Sequence, residues 1–240
     1  ETWDIYRGKY VYYKVKAEDA TGNSGESSEQ QKLIISINDP PIVRIVNVFT
    51  QWQKGLITIT ADASDIDGTI SGVRFDYSFD NANWIQIGSE VTKTPYSVSW
   101  DTKTVTTGVI GSVWLRATTT DDEKATATFV IPNSFSIDNQ SPTTSHDYDG
   151  LWHNKDFPII LRATDGNGIG VATISYSLNK GNKQDIEIDG QSSASVIISK
   201  EDQSNVLEYW STDKLGNEEQ HKTLSNIKLD KTPPSFSDWK

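Results

Sequence analysis

The sequence predicts an all-β chain built from tandem sandwiches. Three observations lead there. Thr, Ser, Asn, Asp and Gly abound while runs of helix formers are scarce. Apolar residues alternate with period two, as half-buried strands require. One strand–turn–strand–proline pattern also recurs three times along the chain.

The copies are "GKYVYYKVKAEDATGNSGESSEQQKLIISINDPP" (Gly8 to Pro41), "GSVWLRATTTDDEKATATFVIPNSFSIDNQSP" (Gly111 to Pro142) and "NVLEYWSTDKLGNEEQHKTLSNIKLDKTPP" (Asn205 to Pro234). In the first, Val11, Tyr13, Val15 and Ala17 share a face. Val113, Leu115 and Ala117 do so in the second, and Leu207, Tyr209 and Ser211 in the third. A short acidic connection follows each strand: "EDATGN", "TDDEKA" and "TDKLGN". The Gly-Asn of the first and third suits the positive φ of a hairpin. The front halves repeat too: "GLITITADASDIDGTISGVRFDYSFDNANW" (Gly55 to Trp84) matches "DFPIILRATDGNGIGVATISYSLNKGNKQ" (Asp156 to Gln184). The closing prolines, Pro40, Pro142 and Pro233, set a period of roughly 100 residues, the size of an immunoglobulin-like sandwich.

The expected fold is therefore a set of tandem immunoglobulin-like β-sandwiches in an elongated array. Residues 1–39 carry the closing strands of a partial module. Residues 40–138 and 139–232 are complete sandwiches, and 233–240 begin a further module or linker. This organisation reads as a piece of a longer repeat array. The alternative is that a neighbouring copy completes the partial module by strand addition, giving a head-to-tail homo-oligomer.

The residues also carry a family resemblance. Ala61–Phe75 and "PYSVSW" (Pro95–Trp100) resemble the "A-x-A-x-D-x-D-G-T-I-x-x-V-x-F" and "PY-x-x-x-W" of bacterial Ig-like repeats. Trp152, "LRATDGNGIGV", "YSLNKG", "YWSTDKLGNEE" and "DKTPP" resemble surface repeats of the form "ATDxxSGV…STDxxGNxE…DKTPP", with Gly168-Ile169-Gly170-Val171 departing from the Ser-Gly-Val pattern. The opening fragment resembles the tail of a fibronectin type III or Ig-like module. The resemblance implies a prokaryotic cell-surface or secreted setting. Function is not implied by the fold, because such modules serve adhesins, surface layers and secreted enzymes alike.

Composition narrows the partners. The chain has 240 residues, with 22 Lys+Arg against 33 Asp+Glu and a net charge of -11. That balance disfavours nucleic acid and anionic lipid. No apolar run approaches a membrane-spanning length. Without cysteine there are no disulfides, thiolate metal sites or cysteine nucleophiles. His146, His153 and His221 show no zinc spacing, and neither a Gly-x-Ser-x-Gly elbow nor a phosphate loop occurs. Each acidic cluster lies in a repeated turn, so no enzymatic activity is expected.

Calcium is the one candidate cofactor, and none is required by the sequence. In "ADASDIDGTISGVRFDYS", aligning Asp65, Asp67 and Gly68 to positions three, five and six of an EF-hand loop puts Ala63 at one and Arg74 at twelve. Starting at Asp62 places Ser64 and Ile66 at ligand positions. Both frames fail. The cluster is either a turn capped by its own carboxylates or a non-EF calcium site using Asp62, Asp65 or Asp67, and the same choice applies to Asp165 and Asn167. A junction site is a further option, with Asp138, Asp147 and Asp149 meeting the hairpin Asp121–Glu123.

Trp100 and Trp152 are expected to pack in a core or against an edge. Trp114 and Trp210 fall out of phase with the buried faces, either packed against long side chains or serving as stacking platforms for sugar rings. Asn139-Gln140-Ser141 is the only N-glycosylation sequon, in a linker. The functional expectation is a non-enzymatic structural or adhesive region of an extracellular surface protein: surface-layer, adhesin or filament spacer modules in a cell wall or S-layer. Its partners would be neighbouring copies or modules. Alternatives are carbohydrate-binding or accessory modules of a secreted hydrolase, with a cell-wall or host glycan as partner, and calcium-dependent assembly modules.

Overall fold

The structure, a computed structural model, describes residues 10–13, 16–26, 31–34, 38–188 and 192–235, the first and third of these in backbone only. Near the start, β1 (Tyr10–Tyr13) and β4 (Gln31–Ile34) pair antiparallel, as do β2 (Lys16–Glu18) and β3 (Ser24–Glu26). Ala17 is exposed, contrary to the inward face expected for it, because the hairpin that carries it is exposed throughout. The side chains of Val11, Tyr13 and Val15 lie outside the described residues.

The next strands are β5 (Ile42–Ile45), β6 (Trp52–Gln53), β7 (Leu56–Ser64), β8 (Ile70–Ser78), β9 (Ile85–Val91), β10 (Tyr96–Asp101), β11 (Val109–Asp121), β12 (Thr126–Val130) and β13 (Phe135–Asp138). They form two sheets, ordered β10-β7-β5 and β6-β13-β11-β8-β9, with β12 extending β13's place along β11. The last sandwich repeats the plan with β14 (Thr143–His146), β15 (Trp152–His153), β16 (Phe157–Thr164), β17 (Val171–Leu178), β18 (Gln184–Glu187), β19 (Ser193–Ile198), β20 (Asp202–Asp213) and β21 (Lys222–Leu229). Its sheets are ordered β14-β16-β19 and β15-β21-β20-β17-β18. In both sandwiches the first strand starts in one sheet and crosses to the other. There it pairs parallel with the last strand: β6 with β13, and β15 with β21. The tandem β-sandwich expected from the sequence is thus the fold observed.

Period-two alternation builds both cores. Ile57, Ile59 and Ala61 of β7 share one core with Val113, Leu115 and Ala117 of β11 and with Phe75, Phe135 and Ile137 of the strands flanking β11. Phe157, Ile159, Leu161 and Ala163 of β16 play the same part against Leu207 and Tyr209 of β20. Trp100 joins the first core, stacked on Tyr77 at 4.7 Å between ring centroids. Trp152 does not, being 55% exposed on the short crossing strand β15. Residues towards the ends of β11 and β20 become small and polar: Ala117 and Thr119 then Asp121, Ser211 then Asp213.

The three acidic hairpins share one geometry. The carboxylates of Asp19, Asp121 and Asp213 each accept backbone N–H bonds from two and four residues on. Just before the hairpin closes, a residue adopts positive φ: Gly22 (88°), Lys124 (80°) and Gly216 (80°). Glycine takes that conformation without strain, and the middle copy tolerates Lys124 there.

Leu115 is fully buried at the centre of its core. Leu115→Ala is expected to cost about 2–5 kcal/mol in urea unfolding. A loss under about 1 kcal/mol would contradict this packing.

Candidate metal centre at a module junction

Three carboxylates meet where one sandwich hands over to the next. Asp138 ends β13, Asp165 follows β16 and Asp213 ends β20. Ligand oxygens of all three lie within 4.8 Å of one another, and each residue is buried, at 0%, 5% and 2% exposure respectively. Strand phase brings them together. Asp165 continues the inward set Phe157, Ile159, Leu161, Ala163, and Asp213 continues Leu207, Tyr209, Ser211. Two strands from opposite sheets therefore end in inward-facing carboxylates at the same end of the sandwich. The incoming chain lays Asp138 over them.

Backbone donors hold the carboxylates in place. Asp138 accepts from Gln140 N–H (3.0 Å) and Ile169 N–H (2.9 Å), and Asp165 Oδ2 from Gly170 N–H (2.7 Å). Asp213 Oδ1 accepts from Leu215 and Asn217 N–H, and its Oδ2 from the Asn217 side-chain amide at 2.7 Å. That same amide donates to the Asp138 carbonyl at 3.0 Å, tying the hairpin to the preceding module. Gly168 leaves the space these groups need. A Cβ there would lie 2.4 Å from Asp165 Oδ2 and 2.5 Å from Asp138 Oδ2.

The charge is not balanced by protein. Among the described residues no lysine, arginine or histidine forms an ion pair with any of the three. Asp165 Oδ1 is buried with no hydrogen-bond partner. Burial, aided by the neighbouring charges of Asp138 and Asp213 and only partly offset by the Gly170 N–H, pushes the Asp165 carboxyl above its ordinary value. An all-oxygen, carboxylate-rich set fits a hard divalent cation of the calcium type.

The other expected ligands lie elsewhere. Asp62 is exposed within β7, Asp67 is exposed and accepts the Asp39 N–H, and Asn167 is exposed on the turn beside the trio. Asp65 occupies the position in the preceding module that Asp165 holds here. It is half-buried, its Oδ2 has no hydrogen-bond partner, and desolvation raises its carboxyl. Asp147 and Asp149 are not at the junction. Asp147 accepts from Ile160 N–H and pairs with Arg162, while Asp149 accepts from Leu151 N–H and contacts His153. Nor does Asp138 meet Asp121–Glu123. β11 runs the length of its module, with Val109 opposite Asp138 at one end and Asp121 at the other. The hairpin that reaches Asp138 belongs to the following module. Asp213, absent from the sequence-based candidates, was findable from its inward phase.

Two surface expectations need correction. Trp210 does lie on the outer face of β20, but it is only 5% exposed. The His221 ring stacks on it at 3.7 Å and 11°, and Lys183 Nζ lies over the ring at 5.7 Å, so it offers no open platform. Trp114 remains half-buried between the buried Val113 and Leu115. At the sequon, Asn139 Oδ1 accepts from Gly55 N–H, and its Nδ2 donates to the Thr106 carbonyl and the Thr102 hydroxyl. The nitrogen a glycan would use is occupied.

The family described as Bacterial Ig domain matches residues 47–111. That stretch is similar to a bacterial Ig domain. It covers much of the first complete sandwich, from the loop before β6 into β11. Among solved structures, the chain is similar to the fibronectin(III)-like modules of Clostridium thermocellum CbhA. The TM-score is 0.38 and the identity 12%, over 82% of this chain and 100% of that one. No curated protein matches the chain in sequence. Among the described residues, no helix is long and apolar enough to cross a membrane.

Two outcomes test the geometry. Gly168→Ala is expected to destabilise the chain by roughly 1–3 kcal/mol, since the added methyl displaces two carboxylates. Unchanged stability in denaturant melts would contradict the crowding. The second outcome concerns pH. A carboxyl raised on folding gives stability that is present at low pH and lost as pH rises through the raised value. In chelator at neutral pH, Asp165→Asn should therefore unfold at higher urea than wild type. That advantage should shrink as pH falls through the carboxylate range, and an advantage that grows would refute the assignment.

Proposed function

We propose that the chain is a run of non-catalytic spacer modules from an extracellular protein, and that a divalent cation held by Asp138, Asp165 and Asp213 fixes one module against the next. The observation that carries this reading is the orphaned Oδ1 of Asp165 within three buried carboxylates drawn from two modules. Three charges taken out of water together repel one another and lose hydration. A cation offsets both costs at once. Since the ligands come from both sides of a short linker, binding orders the linker as well as the loops. The carboxylates can supply several of the six to eight oxygens such an ion takes, with water completing the shell.

The likeness to a bacterial Ig domain and the acidic balance are consistent with a secreted or cell-surface setting, in a surface layer, adhesin or filament. Removal of the cation would loosen the junction it holds.

Calcium that binds only the folded state at a hundred times its dissociation constant adds about 2.7 kcal/mol. The full chain is expected to melt several degrees higher in calcium chloride than in EGTA, and Asp213→Asn should abolish the difference. Superimposable melts of the wild type in the two buffers would remove the proposal.

A further inference from the structure

The chain has two junctions built on one plan, and they differ at a decisive side chain. At the second, Asp138 directly follows Ile137, the last apolar residue of a closing strand. At the first, the residue after the corresponding Ile37 is Asn38. The remaining positions correspond: Asp65 with Asp165 after the strands β7 and β16, and Asp121 with Asp213 at the ends of β11 and β20.

Asn38 brings an amide where Asp138 brings a third charge. Its Nδ2 donates to Asp121 Oδ2 at 2.9 Å. The partial positive end of that amide thus rests on the carboxylate that, one module later, belongs to the trio. The Asp121 Oδ1 accepts from Glu123 and Ala125 N–H, so both oxygens of this buried residue are satisfied by protein donors. The incoming chain is also pinned through Asp39 N–H to Asp67. Among the described residues, no three acidic or histidine ligand atoms at the first junction approach one another as they do at the second.

We infer that the two junctions obey different rules: the second is closed by a cation and the first by the Asn38 amide, with the choice of Asp138 or Asn38 at the corresponding position selecting between them. This rests on the cation reading of the trio. It goes further by assigning one junction that a chelator opens and one that it leaves shut. A run of modules would then flex at chosen points when calcium falls, rather than everywhere.

Calcium chloride titrated calorimetrically into the EGTA-stripped and desalted full chain tests this, with equilibrium dialysis to count bound ions. Wild type is expected to bind one equivalent, Asp138→Asn none and Asn38→Asp two. One equivalent retained by Asp138→Asn would show that an amide at this position does not prevent cation binding, and would overturn the inference. A folded Asn38→Asp chain that binds no more than wild type would overturn it as well, leaving the cation reading of the trio intact. No binding by wild type removes both. Should Asn38→Asp fail to fold, the Asp138→Asn count decides alone.

Discussion

Two strands on opposite sides of a sandwich end with their last inward-facing residue a carboxylate, and the junction is organised around that fact. Alternation that places leucine, isoleucine and alanine in the core does not stop at the core's edge. It carries Asp165 and Asp213 inward as well, at 5% and 2% exposure. Burial of these charges forces the surrounding design. Backbone N–H groups from Leu215, Asn217 and Gly170 must point at them, Gly168 must lack a side chain, and the incoming linker must lie close enough to add Asp138. The hairpin geometry, the glycine and the linker path are consequences of where two charges fall in a period of two.

A second polar group ties the sheets together in the same module. Glu219 accepts from Thr144 N–H with both oxygens and pairs with Lys222, while Thr144 Oγ1 donates to Ser211 Oγ at 2.7 Å. This buried cluster joins the first strand, β14, to β20 and β21. It gives a physical reason for the acidic residue that closes the "GNEE" motif, which the sequence showed as a pattern without a cause. Such networks favour one arrangement when every member is satisfied.

The fold was legible because it rests on short-range patterns: alternation, turn residues and a repeat that could be counted. The inward sets ending at Ala117 and Ser211 were read correctly from their spacing. The junction was harder, because it depends on which loop of one module faces which strand end of another. Sequence proximity suggested Asp147, Asp149 and Asp121–Glu123 as partners for Asp138. The length of β11 makes the last of these impossible, since it holds Asp121 and Asp138 at opposite ends. Trp210 failed for a different reason. Its phase was right, but the burial of an outward residue depends on what lies over it. His221, eleven residues on across a hairpin, stacks on its ring, and Lys183 lies over the ring as well.

The parallel pairing of β6 with β13, and of β15 with β21, has a consequence for how a pull along the chain is borne. In each sandwich these are segments of the first and last strands, so tension at the two ends drags them lengthwise in opposite directions. Bonds such as Ser136 N–H to the Gln51 carbonyl (2.7 Å) and Asp230 N–H to the His153 carbonyl (3.0 Å) lie across that motion. They are loaded together, in shear, rather than peeled one after another from an end. Each module therefore carries its own clasp between its first and last strands, and the crossing of the first strand between sheets is what brings the two halves of that clasp side by side.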